Sequence, residues 1–296
     1  MVAGQGLSIG HELNKDSVGF DRLSDYLRKE CGINLALTEK NKALLANRLN
    51  KMITAFGMSS YSELHSTLVS GRSDVKEVFI NAITTNTTQF FREKKHFDLL
   101  TESARGIFDH RENRASREIR VWCAACSSGE EAYSIAMCLR SVIPEGNELR
   151  IRILATDIDT EILRRAVRGV YAVDAIRHIP EVFKTQFFER GMGSSAGLVR
   201  VRKHIRDMIT FAPFNLVTPI YGFQHKFDFV FCRNVMIYFD RNEIPKTVRK
   251  LEASLKNGGL LFVGHSESFV TDHPGLKQLA PAVYRRCNEC RRGEAA

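Results

Sequence analysis

The stretch from Val121 to Asp159, VWCAACSSGEEAYSIAMCLRSVIPEGNELRIRILATDID, restricts the fold more than any other part of the chain. An apolar run, Ile119–Val121, enters a loop of small residues from Cys123 to Gly129. The loop opens directly into a helical pattern over Glu130 to Val142, and a second apolar run, Ile151–Ala155, ends in the acidic pair Asp157 and Asp159. Strand, tight turn, helix, strand and an acid at the strand tip make half of a doubly wound nucleotide-binding fold. Ligands of such folds sit off the carboxyl ends of the strands, where a carboxylate at the second tip accepts from ribose hydroxyls.

The turn departs from the dinucleotide pattern. It has no G-x-G-x-x-G, and its helix starts with two carboxylates, Glu130 and Glu131. Helix N-termini attract anions, so a pyrophosphate would meet like charge there. A ligand with an ammonium group and a ribose but no phosphate would not, and S-adenosylmethionine fits that description. The plainer reading is that both acids only complement the helix dipole. The small-residue loop before them and the acid at the next strand tip favour the ligand.

A chain of 296 residues has room for about two domains. No apolar stretch approaches the ~20 residues that cross a bilayer. Residues 1–17 lack the pattern of a secretion signal and read, with 288–296, as disordered tails. Seven cysteines, an odd number spread through apolar segments, suit free thiols in a reducing compartment. The pairs Cys123/Cys126 and Cys287/Cys290 are too far apart in sequence for a standard short zinc module, and no metal is expected. A formal net charge of +9 points to an acidic partner without choosing among nucleic acid, membrane surface and protein.

Residues 18–108 carry helix signals and almost no strand signals. Gly32, Gly57 and Gly71 follow periodic runs as C-terminal caps, Ser60–Glu63 reads as a capping box, and Thr38 can cap Glu39–Phe56. On that segment Leu45, Leu49, Met52, Ile53 and Phe56 share one face. Lys40, Arg48 and Lys51 fall on the other, either a solvated face or a docking surface for an acidic partner helix. The charged run 109–117 reads as a linker to a second domain over 118–287. There strands at Ile119–Ala124, Leu149–Ala155, Met208–Ala212, Phe227–Cys232, Leu260–Val263 and Val283–Cys287 alternate with helices at Glu130–Val142, Thr160–Arg168 and Asn242–Lys256. Asn257-Gly-Gly259 ends the last helix, and the sheet is mostly parallel. An insert at about 172–208, glycine-rich and then alternating apolar with basic, reads as a small antiparallel hairpin whose edge can accept a peptide strand.

Six motifs, TTNTTQFFRE (84–93), AACSSGEEAYSIA (124–136), ATDIDTEIL (155–163), FNL (214–216), FDFVFCRNVMIYFD (227–240) and GGLLFVGHSES (258–268), together resemble the CheR family of chemotaxis receptor glutamate methyltransferases over about residues 18–286. The resemblance implies an all-α N-terminal domain on a Rossmann-like class I S-adenosylmethionine-dependent methyltransferase domain of α/β class, with an inserted small antiparallel β-subdomain. It implies S-adenosylmethionine as donor, S-adenosylhomocysteine as product, and glutamates on the cytoplasmic helical bundle of bacterial chemoreceptors as substrate. Family cofactor contacts map onto Asn86, Thr88, Arg92, Glu131, Asp157, Asn215, Leu216, Arg233 and Asn234, with the choice between Glu130 and Glu131 for the amino group left open. Arg92 and Tyr238 match positions that place substrate and methyl group, and Gly191-Met-Gly193 resembles members that hold a receptor's C-terminal peptide. The implied location is the cytoplasm, at membrane receptor arrays.

From the residues themselves, Arg92 suits a carboxylate by its forked donors, or pairs with Glu93. Asn215 could read an adenine edge or serve a turn, and Tyr238 could reach the reacting centre or be an interior tyrosine. His265-Ser266-Glu267 lacks a nucleophile elbow, so loop capping is the better reading than a hydrolase triad. Two rivals remain. A nucleic-acid methyltransferase would carry a [DNS]-P-P-[YFW] motif where this chain has Cys232-Arg-Asn-Val235, and it has no Pro-Pro-aromatic anywhere. A non-catalytic adaptor would have little use for Arg92, Asp157, Asn215 and Asn234 together.

Overall fold

The computed structural model describes residues 16–34, 39–110, 112, 117–267 and 273–287, without the side chains of 39–44. Thr38, Cys290, both expected tails up to residue 15 and from 288, and most of the 109–117 run lie outside the described residues.

Among the described residues four helices come first: α1 (Ser17–Cys31), α2 (Glu39–Ala55), α3 (Tyr61–Val69) and α4 (Ser73–Ile83). Their apolar faces close one core, with Leu27, Leu49, Ile53, Leu64, Val75 and Phe79 fully buried. Asp16 caps α1 through Gly19 N–H and reaches across to Ser62 N–H at the start of α3, tying two helix ends with one carboxylate. The capping box is only half closed. Ser60 Oγ accepts from Glu63 N–H, but the Glu63 carboxylate turns to the backbone and hydroxyl of Ser59 instead of the Ser60 N–H.

After α5 (Lys94–Asp109) the pattern changes to β1 (Glu118–Ala124), α6 (Glu130–Val142), β2 (Arg150–Asp157) and α7 (Thr160–Arg168). A small unit follows: β3 (Val170–Ala172), α8 (Glu181–Phe187), β4 (Phe188–Arg190), β5 (Leu198–Val201) and α9 (Lys203–Arg206). The chain returns through β6 (Ile209–Pro213), β7 (Phe227–Cys232), α10 (Glu243–Ser254), β8 (Leu255–Val263), β9 (Leu276–Ala280) and β10 (Val283–Arg286). The large sheet runs β6-β2-β1-β7-β8-β10-β9; its first five strands are parallel and β10 is antiparallel to both neighbours. Strand alternation splits β1 between two cores. Ile119, Val121 and Cys123 pack on the α6 side; Trp122 and Ala124 pack opposite, where Phe214, Tyr221, Phe223 and Phe227 surround the Trp122 ring.

Three readings need correction. Asn257-Gly-Gly259 does not end the last helix: α10 stops at Ser254 and the glycines sit inside β8, at an irregularity in its pairing with β7. The insert has three strands in the order β3-β5-β4, because β3 adds to the expected hairpin. Strand β9 was not anticipated, since KQL is exposed and carries no apolar alternation.

Candidate active site

The carboxyl ends of β1, β2 and β7 open into a cavity of about 530 Å³, a size that suits a small organic ligand. Asn86, Thr88, Arg92, Glu131, Asp157, Asn215, Leu216, Arg233, Asn234 and Tyr238 all line it. The helical domain closes one side with Cys31, Ile33, Asn34, Leu45, Arg48 and Ile83. Three non-glycine residues of its lining, Ala125 (φ 58), Ser127 (φ 50) and Asn234 (φ 58), and the two neighbours of Arg92, Phe91 (φ 52) and Glu93 (φ 59), hold left-handed backbone. Such conformations cost of order 1–3 kcal/mol each and persist where surrounding contacts impose them, most often at functional sites.

The turn after β1 shows how they are imposed. Gly129 (φ 97) leads into α6, and a Cβ there would press on Ala166 and on Tyr171 Oη at 3.1 Å. Asp157, at the tip of β2, accepts from Ser127 N–H at 2.8 Å and Asp159 N–H at 3.0 Å. Burial pushes its carboxyl above the ordinary value, and those two N–H bonds offset part of the rise. Two N–H donors leave lone pairs of the Asp157 carboxylate for a ligand hydroxyl. Asp159 instead caps α7 and receives Thr84 Oγ1 and the Asn86 amide, locking the 84–88 segment of the wall.

The two helix-start acids separate. Glu131 faces the cavity; its Oε2 is 2.5 Å from Arg233 Nη1, and Cys123 Sγ donates to its Oε1 at 3.3 Å. Glu130 does not line the cavity. It accepts from Ser128 Oγ at 2.6 Å, and burial raises its carboxyl. Cys123 and Cys126 are buried thiols held well above their ordinary range by burial first and by the neighbouring acids second.

Arg233 is the hub behind this wall. Its guanidinium is 1% exposed and binds Glu131, Glu93 Oε2 at 3.0 Å and the Arg92 carbonyl at 2.5 Å. So the alternative reading, an Arg92–Glu93 pair, does not form. Arg92 reaches only the Thr87 carbonyl, at 3.4 Å, among the described residues, and its fork stays available at the cavity. Phe90, fully buried against Tyr171 and Phe188, and Phe91 N–H on Ser134 Oγ anchor the backbone that carries it.

The Arg233–Asn234–Val235 turn is held by a residue that sequence reasoning passed over. Glu267, fully buried, accepts from the N–H groups of Asn234, Val235, Met236 and Gly264. It caps a loop, as read for its tripeptide, but the loop is the one leading to Tyr238. Its signal was the acid beside a strand end. Arg48 leaves the basic face assigned to it: Nη1 reaches the carbonyls of Ala82, Ile83 and Thr84 at the end of α4 and the side chain borders the cavity. Lys51 is exposed, and the side chain of Lys40 lies outside the described residues. Gly191 and Gly193 sit in the β4–β5 turn, remote in sequence from the cavity loops, beside Met192 at 86% exposure.

Glu93, His96 and His265 place ligand-type atoms within 4.8 Å of one another, but the Arg233 guanidinium already supplies the cation for that carboxylate. Burial, with Arg233 next, lowers the His96 imidazole to about 4. Its unfolded value is ~6.5, so between these values the unfolded chain binds the extra proton. Stability is therefore expected to fall as pH drops from about 6.5 towards 4. His96→Asn should flatten that part of a pH series of urea midpoints; an unchanged slope would show His96 charged in the fold.

An open sheet with an acid at its second tip, a second acid on the facing helix and no phosphate cradle defines a class I S-adenosylmethionine-dependent methyltransferase. Residues 86–284 match the family described as "CheR methyltransferase, SAM binding domain", and 19–84 match "CheR methyltransferase, all-alpha domain". The chain belongs to the CheR methyltransferase family, the methyltransferases of chemotaxis, and S-adenosylmethionine is its cofactor. It is 39% identical over 264 residues to the "Chemotaxis protein methyltransferase" of Escherichia coli (strain K12), covering 89% of this chain and 88% of that one. It is 36% identical to "Chemotaxis protein methyltransferase 2" of Pseudomonas aeruginosa (90% and 91% covered) and 34% identical to the Borreliella burgdorferi protein (93% and 95% covered).

Proposed function

We propose that the protein transfers a methyl group from S-adenosylmethionine to glutamate side chains of bacterial chemoreceptors, forming methyl esters. The observation that carries this is the content of one cavity: two buried carboxylates, Glu131 and Asp157, with an uncommitted arginine fork, Arg92, and a part-exposed tyrosine, Tyr238. The residues fit the cofactor. Glu131 would receive its ammonium group, Asp157 its ribose hydroxyls, and Leu216 with the 214–216 backbone its base, while Asn86, Thr88 and Asn234 complete the walls. When bound, S-adenosylmethionine supplies a sulfonium methyl; the C–O bond to the glutamate forms as the S–CH3 bond breaks, leaving S-adenosylhomocysteine. A glutamate is ionised at neutral pH, with an unperturbed value of about 4.3, so no base is needed. What this chain contributes is orientation and exclusion of water. Arg92 aligns the incoming carboxylate, and Tyr238 at 37% exposure borders its path.

The substrate lies on the receptors' cytoplasmic helical bundle, which places the enzyme in the cytoplasm at receptor arrays; among the described residues no helix is long and apolar enough to cross a membrane. The basic charge of +9 suits an acidic helical surface, with Lys51 and Lys40 on α2 as contacts. The edge of the three-stranded unit beside Gly191 and Gly193 would hold a receptor's C-terminal peptide by added strand pairing. Incubation with methyl-labelled cofactor and receptor-bearing membranes tests the proposal: base-labile label on receptor glutamates is expected, and label on nucleic acid would refute it. In the same assay Arg92→Ala should lower kcat about 100-fold with little change in cofactor affinity, because misplacing a reactant by an ångström costs that much.

A further inference from the structure

We infer that the C-terminal end of α1, Glu30–Asn34, positions the two loops that face each other across the cavity, and that Gly32 sets their spacing. This rests on the cavity being the cofactor's seat, as proposed above. On one side the Asn215 amide donates to the Glu30 carbonyl at 2.7 Å, and its Oδ1 accepts from Val217 N–H at 3.1 Å. One N–H and one oxygen lone pair of that carboxamide thus fix the loop at the cavity wall. The Leu216 carbonyl in the same loop is held by Tyr221 Oη and Lys250 Nζ, at 2.6 and 2.8 Å.

On the other side the loop after Arg233 is paired with the same five residues. Asp240 N–H donates to the Gly32 carbonyl at 2.9 Å, Asn34 N–H donates to the Tyr238 carbonyl at 2.7 Å, and Ile33 bridges Phe239 antiparallel. Cys31, Ile33 and Asn34 are themselves cavity wall. One short piece of the helical domain therefore fixes both the loop of Asn215–Leu216 and the loop of Tyr238. Gly32 sits between them with φ 69; a Cβ there would overlap Cγ1 of Val217 and come within 3.3 Å of Glu243 Cγ. A side chain at Gly32 is therefore wedged between the Val217 side chain of the 215–217 loop and Glu243 at the start of α10, just after the 238–240 loop, and displaces Val217. Gly32 touches neither cofactor nor substrate, so it is a positioning residue. The consequence is that the helical domain is part of the cofactor site, and displacing it alters cofactor affinity.

Gly32→Ala is expected to weaken S-adenosylmethionine binding at least about tenfold by calorimetric titration. Gly57→Ala imposes the same left-handed strain (φ 64) at another helix end of this domain but meets no atom within 4 Å, and should leave affinity unchanged. Gly32→Ala with Val217→Ala should recover most of the loss. Equal losses in the two glycine variants, or no recovery in the double variant, would overturn the inference. Should Gly32→Ala fail to fold, hydrogen exchange on the wild type decides: the Asn34 and Asp240 amides gain protection when S-adenosylhomocysteine saturates the protein, and unchanged protection would overturn it. If Asp157→Ala still abolishes binding while the Gly32 variants behave alike, only the coupling fails; if Asp157→Ala is neutral, the seat itself fails.

Discussion

Arg233→Met is expected to destabilise the protein by about 3–5 kcal/mol, the cost of leaving buried charges without their partner. Two carboxylates depend on that guanidinium, Glu131 at 2.5 Å and Glu93 at 3.0 Å, and neither side chain is more than 13% exposed. Burial alone would raise the Glu93 carboxyl, yet it is held below its ordinary value, above all by the charge of Arg233. Arg233→Lys should recover little, because a compact ammonium lacks the planar fork whose two Nη atoms reach Glu131 on one side and Glu93 with the Arg92 carbonyl on the other. Adding Glu93→Gln to Arg233→Met should restore part of the stability. Urea unfolding measures all three; a loss under about 1 kcal/mol for Arg233→Met would mean that the acids are solvated and the hub is not one. The Arg233 guanidinium holds Glu131, Glu93 and the Arg92 carbonyl together at the cavity wall.

Asp157→Ala is expected to weaken S-adenosylmethionine binding by more than tenfold, since hydrogen bonds to a charged group are worth about 1.5–3 kcal/mol. Part of that loss belongs to the turn, because Asp157 also holds the N–H groups of Ser127 and Asp159. A cofactor analogue lacking the ribose hydroxyls separates the two. It should bind the wild type more weakly than S-adenosylmethionine does, and the variant no differently. Equal discrimination by both proteins would place the ribose elsewhere.

How much of this was legible beforehand follows from which interactions are local. Strand, turn, helix and strand from Ile119 to Asp157 are each specified by neighbours in sequence, and their bounds in the structure match to within a residue or two. The cavity residues were found because family motifs name them. What the side chains do there was less visible. Asn215 bonding to Glu30 spans 185 residues, Arg233 to Glu131 spans 102, and no periodicity encodes such partners. Glu267 looked like a polar loop residue because three of its four N–H donors come from a turn some 30 residues away. The Gly-Gly of 258–259 misled by rule: glycines after a helix mark its end, but here the sheet pairing carries them into β8. Glu130 and Glu131 were indistinguishable in sequence, since one residue of helix turns a side chain by about 100° and only packing tells which faces the cavity.

The cavity between Glu131 and Asp157 is the proposed seat of the methyl donor. A crystal structure grown with S-adenosylhomocysteine measures this directly. It should show the amino group against Glu131, the ribose hydroxyls on Asp157 and the thioether sulfur towards Arg92 and Tyr238. Electron density for the ligand outside this cavity, or with its ribose turned away from Asp157, would contradict it.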